Sequence, residues 1–241
     1  MYRIKSLYGN KLRVEAISGA TGSDLADLEQ QAKDLGKSTQ YSAISAAEAM
    51  EQLGSAGFNA KEIYKAMPGL LDLAATDNIE LADAASIAAS ALRGFGLTAD
   101  RTGHVADVLA ESAARTNASV SSLGNAFRYI APVAHATGIS MEETAAAVGL
   151  LANAGIDGTK AGTSLRGMLS RLAKPTEKSA ELMAALGFNA YDSNGKMKSL
   201  SGIIGNLQTS MSGLTEQEKQ NALVTMFGKK SLPTKVERLC A

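Results

Sequence analysis

The chain has no tryptophan, one cysteine and only four prolines, and its charges cancel. Each scarcity removes a class of explanation. A lone cysteine, Cys240, rules out an internal disulfide framework. It stands next to the C-terminus and reads as a bystander rather than a nucleophile. Lys and Arg number 24, as do Asp and Glu, so the basic excess of a dedicated nucleic-acid binder is missing. Aromatics make up 5% of residues, and much of the 45% hydrophobic fraction is alanine. Alanine is the best helix former but has a small side chain. The expected product is many helices in close contact, each residue burying modest apolar area.

Long apolar runs are missing too. The basic start MYRIKSLYGNKLRVEA has no continuous apolar core, so no signal peptide is read there. No stretch approaches the ~18 uncharged apolar residues of a membrane span. Thr144 to Ile156 is uncharged but short, and Ser199 to Thr215 is rich in Ser, Gly, Asn and Gln.

What is present is a succession of short amphipathic segments punctuated by Gly and Asn. The fold class is all-α, an array of helical hairpins. Residues 1–20 read as a basic arm, strand-like or irregular, because Arg3, Lys5, Lys11 and Arg13 alternate with apolar residues. Residues 21–230 read as the helical core and 231–241 as a divergent tail. Within the core, Ser23 or Asp24 is expected to cap a helix whose apolar face is Leu25, Leu28, Ala32 and Leu35. Asn59 with Glu62, Ser140 with Glu143, and Thr215 with Glu218 have capping-box spacing. Pro68 is expected to begin a new helix, and Pro132 to kink or split one. Leu81, Ala84, Ala85, Ala88, Leu92 and Phe95 define another face. FNAYDSNGKMKSL carries hairpin turn chemistry, so a small β-hairpin is expected near 188–200. No strict 34- or 40-residue repeat is visible, although the helix breaks recur. GFNA occurs at Gly57–Ala60 and at Gly187–Ala190, a coincidence attributed to chance.

The densest stretch is Gly138 to Pro175. Met141, Ala145, Val148 and Ala152 share one side of a first helix. Asn153 to Thr159 is a glycine-rich elbow, and Leu165, Met168, Leu169 and Leu172 form the stripe of a second helix. Arg166 and Arg171 lie outside that stripe. The unit reads as a packing hairpin with no catalytic group in it.

The search for chemistry yields no catalytic, cofactor-binding or metal-ligating residue. Gly36-Lys37-Ser38-Thr39 resembles the end of a phosphate loop, but Gln31 stands where the first glycine belongs and a polar helix leads in. Gly94-Phe95-Gly96 with Ala99 loosely mimics a dinucleotide fingerprint, again after a helix. His104 and His135 lack a second metal-ligand type at ligand spacing and read as surface or capping residues. The acids are scattered, whereas a glycosidase needs two that converge. Ala/Gly/Ser-rich faces permit close approach of helices, within a chain or between chains.

Several blocks resemble the core region of tail tape measure proteins of tailed bacteriophages. They are AISGATGSDLADLEQQAKDLGKSTQYSAISAAEAMEQLGSAGFNAKEI and GLLDLAATDNIELADAASIAASALRGFGL. HVADVLAESAARTNASVSSLGNAFRYIAPVAHATGISMEETAAAVGLLANAGIDGTKAGTSLRGMLSRLAKPT follows, then DSNGKMKSL and ALVTMFGKK. The resemblance implies a non-enzymatic scaffold in the tail lumen whose length sets tail length. It implies assembly in the bacterial host cytoplasm. The implied partners are the major tail tube protein, tail assembly chaperones and tail tip or baseplate initiator proteins, with self-association as a further option. Contact with the membrane is implied only during ejection of DNA, and an alternative role is a membrane-active helical protein at the host envelope. No cofactor is implied. The abrupt departure at SLPTKVERLCA points to a truncated reading frame, such as a prophage remnant or one piece of a split gene.

Overall fold

The computed structural model describes residues 13–228, and over these it is helical, with connecting turns. The expected tail at 231–241 and the first part of the basic arm lie outside the described residues. The arm's remainder is not a strand: residues 13–18 are helical (α1). Then come α2 (Gly22–Ser38), α3 (Ala43–Ser55), α4 (Ala60–Asp77) and α5 (Leu81–Gly94). A 3₁₀ turn, Ala99–Arg101, leads into α6 (Thr102–Arg115). The chain continues through α7 (Val120–Thr137), α8 (Met141–Asn153), α9 (Gly158–Ala173), α10 (Glu177–Ala185), α11 (Leu200–Ser210) and α12 (Glu216–Phe227). It divides into two compact units, the first ending at Glu111 and the second starting at Ser112, so the boundary falls inside α6.

In the first unit α3 packs on α5 and α2, and α4 packs on α5. Alanine makes these approaches close. Ala46, Ala49, Ala66, Ala74, Ala84 and Ala88 have no exposed surface, alongside Leu53, Ile63, Leu70, Leu73, Leu81 and Leu92. The expected α5 face from Leu81 to Phe95 is buried throughout. In the second unit the most extensive pairing is α7 on α9, and α10 packs on α12.

One joint recurs. At Phe58, Ile79, Leu97, Ile139, Ile156 and Phe188 the main-chain N–H turns back to the carbonyl five residues earlier, at 2.7–3.1 Å. This is the Schellman closure of a helix end, and it needs a left-handed residue just before the apolar one. That residue is Asn78 at φ 49 in one case and glycine in the other five, for example Gly155 at φ 75. The residue after the apolar one then stands at the N-cap of the next helix in five of the six joints: Asn59, Glu80, Thr98, Ser140 and Asp157. Three consecutive residues therefore end one helix, plug an apolar side chain and start another. Gly57, Gly96 and Gly138 recur about every 40 residues, with Asn78 between the first two and Gly155 after the third, so the repetition lies in the joints rather than in helix sequence. The two GFNA copies are two instances of this joint, and chance is the wrong account of their glycine and phenylalanine. The copies part at their asparagines: Asn59 caps α4, which Ala60 opens, whereas Asn189 Oδ1 accepts from Tyr191 N–H at 2.9 Å and Ala190 lies outside any helix.

Four other expectations are corrected. Thr21, not Ser23 or Asp24, occupies the N-cap of α2, and it makes no side-chain capping bond. Pro132 does not split a helix; α7 runs through it to Thr137. Pro68 does not begin a helix either; it lies inside α4. A proline in mid-helix removes one N–H and orphans the carbonyl four residues earlier, here that of Tyr64. Gln31 Nε2 on α2 donates to that carbonyl at 2.9 Å. The gap in the α4 ladder thus becomes a cross-link to α2. The β-hairpin near 188–200 also fails to form. Among the described residues it reduces to an isolated antiparallel bridge between Tyr191 and Met197. The flanks are too short for a strand, because Phe188 closes the end of α10 and Ser199 caps α11, with Ser199 Oγ accepting from Gly202 N–H at 3.1 Å.

Replacing Gln31 by alanine is expected to cost about 1 kcal/mol of unfolding free energy, the usual worth of one such bond. In a Pro68→Ala background, where residue 68 regains its N–H, the same change is expected to cost less. A urea-denaturation double-mutant cycle measures the difference. Equal costs in both backgrounds would show that Gln31 does not serve the proline gap.

Candidate functional site

The hairpin α8–α9, with α7 behind it, is the best-defined feature of the second unit, and its parts follow from local chemistry. Ser140 Oγ accepts from Glu143 N–H at 3.1 Å, which starts α8. Complete capping boxes, with both reciprocal bonds, close at Asn59–Glu62 and Thr215–Glu218. The expected α8 face, Met141, Ala145, Val148 and Ala152, is buried, and so are Leu165, Met168, Leu169 and Leu172 on α9. Arg166 points to solvent, and Arg171 is half-buried.

At the elbow Asp157 stands at the N-cap of α9 but makes no side-chain capping bond. Ser122, on α7, takes over. Its Oγ accepts the first α9 N–H, from Gly158, at 2.9 Å. One α7 turn further on, a Cβ on Gly162 would run into the Ala126 carbonyl oxygen and stand 2.8 Å from Ala126 Cα. Glycine at 162 is therefore what allows α9 to lie directly on the α7 backbone.

The other side of α8 is tied just as closely. Ser112 Oγ donates to the Ala145 carbonyl at 3.1 Å, and Asn117 N–H donates to Asn153 Oδ1 at 2.7 Å. Between them, a Cβ on Gly149 would come within 2.7 Å of a Thr116 methyl. Ala145, Gly149 and Asn153 thus form one stripe on α8 that receives Ser112, Thr116 and Asn117. Spacing predicts the apolar stripes; it does not predict these cross-helix polar bonds, whose partners are 33 to 36 residues apart.

This arrangement positions helices through polar bonds that run from one helix to another. Gly36-Lys37-Ser38-Thr39 is the C-terminal end of α2, where carbonyls rather than N–H groups are left over, and Lys37 pairs with Asp34 at 3.4 Å. Gly94-Phe95-Gly96 is likewise a helix end. His104 lies in the first turn of α6, in the first unit, and His135 in the last turn of α7, in the second. Among the described residues no three His, Cys, Asp or Glu gather as a metal site. An open recess of about 430 Å³ between the starts of α7 and α9 is lined by Ser119, Ser121, Ser122, Asn125, Asp157 and Lys160, so it offers both signs of charge.

The perturbed carboxyls have local causes. Gln30 holds Asp34 below the ordinary aspartate range, helped by Lys37. A bond from Thr98 lowers Asp100. Glu218 is lowered by the main-chain N–H and the hydroxyl of Thr215, both at 2.8 Å.

Comparison with known proteins supplies a family. Residues 29–228 match the family described as phage-related minor tail protein. The chain is 51% identical over 220 residues to the tape measure protein of Pneumococcus phage Dp-1, covering 91% of this chain and 19% of that protein. It is 33% identical over 222 residues to the probable tape measure protein of Escherichia phage P2, covering 90% of this chain and 27% of that protein. The chain therefore spans about a fifth to a quarter of the length of these relatives. No solved structure matches it.

Three measurements test this local chemistry. Gly162→Ala is expected to destabilise the second unit by at least 1–3 kcal/mol, because the new methyl meets backbone that has nowhere to go. Gly155→Ala has open space and is expected to cost only about 1 kcal/mol, for left-handed strain. Denaturation midpoints of the two variants give the order. For Glu218 a lowered pKa means that the folded state favours the charged form. Its contribution is present above the ordinary glutamate range and is lost as pH falls through the depressed value. An NMR titration of Glu218 is expected to give a midpoint below the ordinary glutamate value, and Thr215→Val is expected to raise it. On the match over residues 29–228, this chain belongs to the phage-related minor tail protein family.

Proposed function

We propose that the chain supplies the folded core segment of a tail tape measure protein, acting as a non-enzymatic scaffold during tail assembly. The observation that carries this reading is the 51% identity to a stretch of one tape measure protein over 91% of this chain. The fold supports it: the close contacts and hydrogen bonds are used to set helices against one another. In this reading the exposed helix faces meet the major tail tube protein, the tail assembly chaperones and the initiator proteins of the tail tip or baseplate. The segment works in the tail lumen after assembly in the host cytoplasm, and it helps template tube length and initiation. The alternative of a membrane-active protein is less favoured, because no helix among the described residues is long and apolar enough to cross a membrane.

The test is an in-frame deletion of this segment in an intact phage, with tails examined by electron microscopy. The expected result is loss or misdirection of tail assembly. Normal tails of unchanged length would overturn the proposal.

A further inference from the structure

We propose that Asn194 is a self-modification site, at which the folded chain converts the side-chain amide, through a cyclic imide with Gly195, into aspartate and isoaspartate. No other asparagine in the chain is followed by glycine. The reaction requires the main-chain nitrogen of the following residue to reach Asn194 Cγ. A Cβ on that residue would obstruct the approach; Gly195 has none, and nothing lies within 4 Å of where one would stand. Asp192 to Lys196 are all exposed, so water and hydroxide reach the turn.

The turn is held mainly by Asp192. Its Oδ1 accepts from Asn194 N–H and Lys196 N–H, both at 2.9 Å, and its carbonyl accepts from Gly195 N–H at 3.2 Å. The longest of these bonds is the one on the nucleophile itself. Only the single Tyr191–Met197 bridge backs the turn, so opening it costs little. Asp157-Gly158 is the contrasting pair. It has the residue types for the same ring closure, but Ser122 Oγ holds Gly158 N–H at 2.9 Å where α9 starts.

The chemistry balances with water alone. Gly195 nitrogen gives its proton to hydroxide and bonds to Asn194 Cγ. The Cγ–Nδ2 bond breaks, and ammonia leaves with a proton from water. Water then opens the imide at one of its two carbonyls, leaving a carboxylate and ammonium. Opening at one carbonyl restores a normal backbone as aspartate. Opening at the other routes the main chain through the former side-chain carbon as isoaspartate, which lengthens the turn and moves Lys196 N–H off Asp192. Either product places a new negative charge beside Asp192.

The experiment incubates the full chain, folded, at mildly alkaline pH and maps its peptides by mass spectrometry. The expected result is a gain of about 1 Da in the peptide containing Asn194, ahead of every other asparagine. Its rate is expected to rise about tenfold per pH unit, as a hydroxide-dependent step must. Gly195→Ala is expected to slow it about tenfold, and Asn194→Gln, which leaves the left-handed glycine in place, is expected to abolish it. An amide at Asn194 that survives in the folded chain while it converts in concentrated urea would overturn the proposal. So would conversion spread evenly over the asparagines.

Discussion

The structure depends on how a helix ends. Closing an α-helix leaves carbonyls without partners, and burying such an end unsatisfied is costly. The recurring joint meets this with a left-handed residue that lets an apolar residue's N–H reach back five positions, from Phe58 to Leu53 or Ile156 to Leu151. The same turn places that apolar side chain against the protein: Phe58, Ile139, Ile156 and Phe188 are buried, and Ile79 and Leu97 half-buried. In four of the six joints backbone satisfaction and full apolar burial are therefore one event. Because the N-cap position of the next helix follows at once in five of the six joints, those breaks also set the direction of the next helix. A chain built this way folds back on itself at short intervals. A continuous helix of the same length would instead be a rod of about 360 Å, at ~1.5 Å per residue.

The second constraint is the partnering of orphan backbone groups by side chains from elsewhere. Pro68 frees the Tyr64 carbonyl, and Gln31 on α2 takes it. Asp157 leaves the start of α9 uncapped, and Ser122 on α7 takes it. In each case a local defect becomes a tertiary bond that sets the register of two helices. Apolar burial is weakly directional, and alanine faces slide over one another easily. A hydrogen bond to one particular carbonyl or N–H does not permit that freedom. Glycine has a matching role at Gly162, where only the absence of a side chain lets two backbones approach.

These two constraints explain which parts of the fold were legible in the sequence. Periodicity revealed the apolar faces, because the core is built from stripes: Leu165, Met168, Leu169 and Leu172 are read directly and are buried. Cap spacing located α4, α8 and α12, because a capping box is local. Pro68 was misread because proline's propensity is local, whereas its rescue by Gln31 comes from another helix. Ser122 was missed for the same reason. The hairpin signal at Asp192–Gly195 was sound turn chemistry, but a turn makes no sheet when helix ends claim both flanks. The repeated GFNA was undervalued because its meaning lies in a hydrogen-bond pattern that letters do not show. The lack of candidate catalytic residues left the function to be inferred from kinship.

A scaffold and an enzyme make different demands on close contacts. An enzyme brings groups of perturbed acidity together in a cleft; here the perturbed carboxyls, Asp34, Asp100 and Glu218, are exposed, and each answers to its own turn. The tight approaches lie elsewhere, at Gly162 on Ala126, Gly149 on Thr116 and Gly69 on Gly103, where backbone meets backbone or a short side chain. What these contacts specify is the relation of one helix to the next within each unit. That is what the proposed scaffold role asks of the chain. It also accounts for a composition poor in aromatics and rich in alanine and glycine. Where helices are held at short distances, small side chains set the closest approaches, and the larger ones, such as Phe127, Met50 and Leu70, fill the space between.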